Sequence, residues 1–242
     1  MRILMMGTGG FAVPVFQWLL DSEHEVPALV TRPKAGRRDR RSKITDPMRE
    51  VAERRNVIIH DPGSINTPEA IALVRKLSPE LMVVCDYGQI LAHEVLALAP
   101  KGGINLHASL LPKYRGAAPI NWAIFHGERE TGVTVIHMTP QLDAGPCLQQ
   151  QVVTIGERET SPQLEARLAE LGVTSVSDSI AQLATWEGSS VLGEIQRQAE
   201  ATKAPRLKKS DGLLDWSRSA HQLDSQIRAM KPWPGTFSFL PR

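Results

Sequence analysis

A chain of 242 residues with 42% apolar and 22% charged residues can bury a substantial core without disulfides or a structural metal. Aromatic residues make up only 5% of the chain, which disfavours an aromatic-rich platform for carbohydrates or single-stranded nucleic acids. The two cysteines, Cys85 and Cys147, lie far apart. This excludes a disulfide framework and a cysteine-ligated zinc site and fits a reducing compartment.

From the sequence we expect neither a membrane span nor an export signal. Its apolar runs are too short to cross a bilayer, and residues 1–6 lead straight into glycines without the charged region and cleavage site of a secretory peptide. We therefore expect a cytoplasmic protein that does not associate with membranes.

The N-terminal half alternates short apolar runs with helical patterns. Strands are predicted at residues 2–6, 26–31, 57–60, 81–85, 103–107 and 131–138. Helices are predicted at 11–20, 47–55, 68–77, 93–98 and 160–186, the last interrupted at Gly172. Strands that alternate with helices imply right-handed crossovers, so we expect an α/β fold with a doubly wound, mostly parallel, Rossmann-like sheet.

The composition changes near the C-terminal end. Residues 200–212 mix proline, lysine and polar residues without an apolar period, which is typical of a linker, and a helix at 217–230 and a strand at 236–240 follow. One helix and one strand cannot bury a core. We therefore expect a first domain over 1–190, a linker over 191–212 and the start of a second domain over 213–242, unless this tail docks on the first domain.

The overall charge of +2 hides an uneven distribution. The segment from Arg32 to Lys43 contains seven basic residues and one acidic residue, which is a local charge of +6 and leaves −4 for the rest. The segment lacks an apolar period, so it is predicted to be a loop. Segments whose charges are nearly all positive bind the phosphate backbones of nucleic acids through counterion release.

Three polar residues suggest a catalytic site. Asn105 and His107 are two apart in a predicted strand, so their side chains share one face near its carboxyl end, and Asp143 lies in a later turn. An amide can donate to a developing oxyanion, an imidazole can move protons near neutral pH, and a carboxylate can orient the imidazole. No serine or cysteine is placed as a nucleophile, so direct attack by a substrate is the simpler mechanism.

The spacing of Asn105 and His107 is by itself more often structural than catalytic, and the turn at Asp143 could be ordinary. The glycines at 7, 9 and 10 resemble part of a dinucleotide fingerprint, but the third glycine is missing. Thr31 and Arg32 also stand where an acidic residue would follow the second strand. We therefore expect a tight strand-to-helix turn and no NAD site.

The run INLHASLLPKYRGAAPINWAI, with the later TGVTVIHM and LDAGP, resembles the folate-dependent formyltransferases. The similarity begins at MRILMMGTGGFAVPVF, passes through VVCDYGQIL, and reaches ATKAPRLKKSDGLLDWSRSA and KPWPGTF. It covers almost the whole chain and is strongest with the branch whose acceptor is methionyl-tRNA.

The resemblance implies transfer of a formyl group from 10-formyltetrahydrofolate to the α-amine of initiator methionyl-tRNA, by direct amine attack through a tetrahedral intermediate. It places Asn105, His107 and Asp143 on the family's catalytic set. Whether His107 or Asp143 accepts the first proton stays open. The implied folate-binding residues form two segments: Ser109, Leu110, Leu111 and Pro112, and Asp86, Tyr87 and Gly88.

The resemblance also assigns the basic segment to tRNA. Its tRNA-binding candidates are Arg37, Arg38, Arg40, Arg41 and Lys43. The family's linker leads to a complete C-terminal β-barrel domain, so a chain that ends at Arg242 is expected to be truncated and to bind tRNA less tightly. We expect no metal and no obligatory protein partner.

Three alternatives stay open. A formyltransferase acting on an amino sugar nucleotide would share SLLPKYRG, but it needs no cationic segment. The glycinamide ribonucleotide enzyme lacks the linker and the Asp215–Trp216 sequence. A noncatalytic RNA-binding module would not require Asn105, His107 and Asp143 together.

Overall fold

The computed structural model describes residues 1–33, 46–188 and 190–239. A seven-stranded sheet has the order β3-β2-β1-β4-β5-β7-β8, and β6 and β9 form a separate parallel pair. The strands are β1 (Ile3–Gly7), β2 (Leu29–Val30), β3 (Ile59–His60), β4 (Leu81–Cys85), β5 (Gly103–His107), β6 (Arg115–Gly116), β7 (Glu130–His137), β8 (Cys147–Thr154) and β9 (Lys203–Ala204).

Helices cover both faces of the seven-stranded sheet, which confirms the predicted doubly wound, mostly parallel α/β fold. They are α1 (Val13–Asp21), α2 (Pro47–Arg54), α3 (Pro68–Leu77), α4 (His93–Leu96), α5 (Pro119–Phe125), α6 (Ser161–Thr185) and α7 (Ala220–Ala229). The side chains of Asp46 and Thr67 accept hydrogen bonds from the first turns of α2 and α3. A proline at the first helical position follows each cap, because its missing N–H is not needed there.

Strand β1 shows why the sheet needs helices on both sides. Its residues are all fully buried, with Ile3 and Met5 in one core cluster and Leu4 and Met6 in another. Successive side chains of a strand point to opposite faces, so an uninterrupted apolar run requires cover on both.

The sheet departs from the predicted pattern at one edge. Strands β7 and β8 run antiparallel to their neighbours, and the sequence analysis did not predict β8 or the short helix α5. Strand β8 carries three glutamines and has a half-exposed alternating pattern, because it forms the edge of the sheet. Such a strand lacks the continuous apolar run that identifies the central ones.

The predicted interruption of the long helix at Gly172 is wrong. Helix α6 is continuous, and Gly172 is buried in its middle. A Cβ on Gly172 would overlap with the Leu106 side chain of β5. The glycine therefore permits close packing of the helix on the sheet, and burial outweighs its low helix propensity, which costs about 1 kcal/mol relative to alanine.

The C-terminal segment packs against the rest of the molecule. Helix α7 lies on α5 and on the start of α6, where Asn121 Nδ2 and Ser161 Oγ both donate to the Ala229 carbonyl at 2.7 Å. Up to residue 239 the predicted strand at 236–240 consists of a single bridge between Leu213 and Phe237. The domain boundaries at 190 and 212 stay predictions.

Among the residues that the structure describes, no helix is both long enough and apolar enough to cross a membrane.

Candidate active site

A cleft of about 480 Å³ opens where the loops that follow β1, β4 and β5 meet. This is the carboxyl edge of the parallel strands, where open α/β sheets bind their ligands. The volume falls in the range of small-molecule sites, roughly 300–1,000 Å³. Asn105, His107 and Asp143 all line the cleft.

The pleat of β5 directs Asn105 and His107 to the same face, as the spacing predicts. Asp143 reaches them by a different path. Because β7 is antiparallel to β5, with His137 opposite Ile104, the chain leaves β7 beside the beginning of β5. The loop over residues 138–146 therefore folds back along the sheet to bring its carboxylate to the cleft.

The three side chains are in contact, and their separations are long. Asn105 Nδ2 lies 3.5 Å from Asp143 Oδ1, and His107 Nδ1 lies 3.7 Å from Asp143 Oδ2. The side chains of His107 and Asp143 are 7% and 10% exposed. Long separations are common in sites without substrate, where catalytic hydrogen bonds tighten only when the substrate binds.

Backbone geometry aims the Asp143 carboxylate. Asp143 has a φ of +48°, in the left-handed region that is uncommon for residues other than glycine, with asparagine and aspartate the most frequent exceptions. The Gly116 amide donates to Asp143 Oδ2 at 2.9 Å. A strained residue that is held by specific hydrogen bonds is typical of a functional site.

One hydrogen bond determines which nitrogen of His107 can exchange a proton. His107 Nε2 lies 2.9 Å from the backbone carbonyl oxygen of Tyr114. A carbonyl oxygen only accepts, so Nε2 carries the proton and donates it. The nitrogen that faces Asp143, Nδ1, is therefore the one whose protonation state can change.

The carbonyl of Tyr114 is itself held in place. Tyr114 has a φ of +63°, its amide donates to Thr202 Oγ1 at 2.8 Å, and its hydroxyl donates to Glu128 Oε1 at 2.8 Å. Burial and this bond to Glu128 raise the pKa of the Tyr114 phenol, so it remains a donor. These contacts fix the backbone that orients His107.

A second wall of the cleft carries charged groups beside the glycine loop, the turn over residues 7–10 that follows β1. Asp86 and Glu165 both line it. Desolvation raises the pKa of Asp86, and Arg32 acts in the opposite direction. Desolvation and the charge of Asp86 raise the pKa of Glu165.

The glycines on this wall make room for side chains. A Cβ on Gly9 would overlap with the Asp86 carboxylate, and a Cβ on Gly88 would overlap with the Arg32 guanidinium. Arg32 Nε donates to the Tyr87 carbonyl at 2.9 Å. The glycine loop thus packs against charged side chains of the chain itself.

The two predicted folate-binding segments lie differently. Asp86, Tyr87 and Gly88 line the cleft, whereas residues 109–112 are not part of its lining. Thr134 Oγ1 donates to the Ser109 carbonyl at 2.6 Å, and Gln150 Nε2 donates to the Leu111 carbonyl at 2.7 Å. The segment over residues 109–112 is therefore bound to β7 and β8, and its contact with folate stays a prediction.

The five tRNA-binding candidates, Arg37, Arg38, Arg40, Arg41 and Lys43, lie outside the described residues. The cleft also includes Arg32, the first residue of the basic segment, and three residues that the sequence analysis did not select, namely Phe11, Glu165 and Arg206. No local pattern marks these three. Their position depends on how α6 and the linker pass the glycine loop, which sequence periodicity does not encode.

Within residues 1–33, 46–188 and 190–239, no group of three or more His, Cys, Asp or Glu side chains could hold a metal ion.

Comparison with known proteins agrees with this geometry. A family model described as formyl transferase matches residues 1–180, and one described as the formyl transferase C-terminal domain matches residues 206–242. The methionyl-tRNA formyltransferase of Rhodopirellula baltica is 45% identical, over 98% of this chain and 73% of its own length. That of Caldanaerobacter subterraneus subsp. tengcongensis is 43% identical, over 99% of this chain and 77% of its own length.

Solved structures share the fold at low identity. WlaRD, a sugar 3N-formyl transferase crystallised in the presence of dTDP and 5-N-formyl-THF, superposes with a TM-score of 0.71 at 18% identity. The match covers 95% of this chain and 78% of that one, and it concerns the fold alone.

The sheet, the cleft and these matches define an α/β enzyme that transfers a formyl group. The chain belongs to the formyl transferase family.

Proposed function

We propose that this enzyme transfers the formyl group of 10-formyltetrahydrofolate to the α-amine of initiator methionyl-tRNA. The observation that carries the proposal is the contact of Asp143 with both Asn105 and His107 in one cleft. The relatives that bear the name methionyl-tRNA formyltransferase support the choice of acceptor. The formyl-folate in the WlaRD structure supports the choice of donor.

The chemistry needs an oxyanion donor and a proton acceptor. The amine must be neutral to attack the formyl carbon, and the formyl oxygen becomes negative as the new C–N bond forms. Asn105 Nδ2, and His107 Nδ1 whenever it carries a proton, are the donors for that oxygen, because both lie beside Asp143 in the cleft.

The proton moves from the attacking amine to the leaving nitrogen. Asp143 and His107 Nδ1 are the groups within reach, because His107 Nε2 is committed to the Tyr114 carbonyl. As the bond from the formyl carbon to N10 breaks, N10 takes up one proton and tetrahydrofolate leaves. Donor and acceptor then balance without a covalent intermediate on the enzyme.

The donor's pterin is proposed to lie along residues 86–88. Tyr87 and Gly88 line the cleft there together with apolar side chains of the sheet, Val84 and Ile136. Apolar walls with a few polar groups are what a flat heterocycle requires. A contribution from Ser109, Leu110, Leu111 and Pro112 remains part of the proposal.

The acceptor's RNA is proposed to bind the basic segment. The local charge of +6 between Arg32 and Lys43 supports this, because the rest of the chain is net acidic. Arg32 also lines the cleft, so the segment begins beside the proposed catalytic site.

A two-acceptor assay tests the proposal. Purified enzyme is given 10-formyltetrahydrofolate with either initiator methionyl-tRNA or a UDP-amino sugar, and formylated product is measured. We expect formylation of the tRNA only. Preference for the sugar nucleotide would make the enzyme a sugar formyltransferase, and no transfer to either acceptor would contradict the proposal.

A charge variant tests the RNA assignment. Replacing Arg37, Arg38, Arg40 and Arg41 with alanine should raise KM for methionyl-tRNA and leave KM for the folate unchanged. The control replaces four exposed arginines elsewhere, Arg54, Arg75, Arg158 and Arg197, so that the net charge changes equally. Equal effects of the two variants on tRNA kinetics would remove the assignment.

A further inference from the structure

Residues 196–204 contact two loops. One is the turn that carries Asp143, and the other is the segment over residues 114–116, whose Gly116 amide binds the Asp143 carboxylate. Strand β9 pairs with β6, so Lys203 lies opposite Arg115 and Ala204 lies opposite Gly116. Thr202 accepts from the Tyr114 amide through its hydroxyl. The beginning of this segment is anchored by Gln196, whose amide group makes four hydrogen bonds.

The amide nitrogen of Gln196 binds the turn that carries Asp143. Gln196 Nε2 donates to the backbone carbonyls of Asp143 at 2.8 Å and Gly145 at 2.7 Å. Both carbonyls lie on the C-terminal side of the Asp143 Cα, so these bonds fix the chain that leaves a residue whose φ is +48°. Because the left-handed conformation is costly for aspartate, external contacts are needed to keep it.

The amide oxygen of Gln196 binds the other loop. It accepts from Arg115 Nε at 3.1 Å and Nη2 at 2.6 Å. The next residue, Gly116, donates its amide to Asp143 Oδ2 at 2.9 Å. Gln196 thus connects the backbone of Asp143 to the loop that binds the carboxylate of Asp143.

We propose that Gln196 is a positioning residue that holds the Asp143 carboxylate in its reactive orientation. Neither Gln196 nor Arg115 lines the cleft, so the effect is exerted through Asp143. The inference rests on the proposed function, because it assumes that Asp143 takes part in proton transfer.

Gln198 provides a matched control in the same segment. Its side-chain oxygen accepts from Arg115 Nη1 at 2.8 Å, so it shares the arginine with Gln196. Gln198 is exposed, and among the described residues it makes no hydrogen bond to the turn of Asp143. The same substitution at both positions separates the contact with the turn from the contact with Arg115.

The experiment compares Gln196→Met, Gln196→Glu and Gln198→Met. Methionine keeps the length of glutamine without its hydrogen bonds, and glutamate can still accept from Arg115 but cannot donate to the two carbonyls. We expect both Gln196 variants to lower kcat roughly tenfold, with KM for 10-formyltetrahydrofolate unchanged. Gln198→Met should stay within about twofold of the natural enzyme.

A double-mutant cycle with Asp143→Ala distinguishes positioning from general packing. If Gln196 acts through Asp143, Gln196→Met should cost less than about twofold once Asp143 is absent. A full tenfold loss in that background, or a Gln196→Glu variant with normal kcat, would overturn the inference.

The same cycle separates this inference from the proposed function. Normal turnover in Asp143→Ala would remove the catalytic assignment itself. A strong loss in Asp143→Ala with normal turnover in both Gln196 variants would reject the positioning role alone. If Gln196→Met fails to fold, Gln196→Glu, which retains the bond to Arg115, carries the test.

Discussion

On one wall of the cleft the carboxylate of Asp143 accepts a hydrogen bond from the Gly116 amide, and Asn105 and His107 lie beside it. On the other wall the carboxylates of Asp86 and Glu165 accept no hydrogen bond from the described part of the chain. Their pKa values are raised mainly by desolvation.

The difference shows what each wall is built to do. Asp143 is held by the backbone amide of Gly116 and by the side-chain amides of Asn105 and Gln196, so little reorganisation is needed when charge moves during the reaction. Asp86, which is exposed, and Glu165, which is half-buried, lie against Gly9 and Gly10 without such bonds, and desolvation raises the pKa of both. Substitutions on the first wall should therefore change turnover, whereas substitution of Glu165 on the second wall, which the proposed mechanism does not use, should change stability.

The largest expected effect is that of His107→Ala. It removes an oxyanion donor and a proton carrier, so kcat should fall by about 10²–10³-fold, the scale of losing one preorganised donor. Asn105→Ala should lose a similar factor. Single-turnover formyl transfer at saturating substrate measures both.

Glu165→Gln, on the second wall, is the control for these variants. Its turnover should stay within about threefold of the natural enzyme, since the side chain makes no hydrogen bond that the reaction uses. Near-normal turnover in both His107→Ala and Asn105→Ala would refute the catalytic assignment. A hundredfold loss in Glu165→Gln would show that the two walls do not differ as argued.

A smaller effect is expected from Tyr114→Phe, which sharpens the account of the first wall. The change removes the hydroxyl that binds Glu128 while the carbonyl that accepts from His107 remains. We expect kcat to fall about fivefold, because loss of a hydrogen bond of about 1 kcal/mol loosens a strained backbone.

Glu128, which accepts the hydrogen bond from the Tyr114 hydroxyl, supplies the control. Glu128→Gln retains an oxygen that can accept from the Tyr114 hydroxyl, so it should lose less activity than Tyr114→Phe. Nitrogen NMR of the His107 ring reads the tautomer directly. If Tyr114→Phe leaves both kcat and the Nε2–H signal unchanged, the hydroxyl has no part in orienting the imidazole.

Much of the fold and part of the site could be predicted from the sequence. The apolar runs at β1 and β4 predict buried central strands, and the two-residue spacing of Asn105 and His107 predicts their common face. Each of these depends only on local periodicity. The sequence marks the turn at Asp143 as a candidate, but the approach of Asp143 to Asn105 and His107 depends on the path of a nine-residue loop, which the sequence of the loop does not determine.

The remaining parts of the site depend on contacts between distant segments. Gln196 comes from the predicted linker, more than 50 residues after the turn that it binds. Glu165 lies in the first turns of α6, and nothing in its helical period reveals that Asp86 is nearby. The sequence around Gly172 predicts a helix break, because its packing against Leu106 of β5 is not visible in the sequence.

The smallest effect is a pH-dependent change in stability on the second wall. The pKa of Glu165 is raised in the folded state by desolvation and by Asp86. The contribution of Glu165 to the free energy of unfolding is therefore most favourable below the ordinary glutamate pKa. That contribution is lost as the pH rises through the raised pKa. Glu165→Gln removes this loss.

Melting curves of Glu165→Gln between pH 4 and pH 8 should show that difference. We expect its Tm to exceed that of the natural protein at pH 8 and to match it near pH 4. Glu170→Gln, exposed on the same helix, should show no such trend.

The gain in Tm should also be smaller in an Asp86→Asn background, because the charge of Asp86 is part of what raises the pKa of Glu165. A gain that is equal at both pH values would mean that Glu165 destabilises the fold through its shape, and the electrostatic contrast between the two walls would then fail.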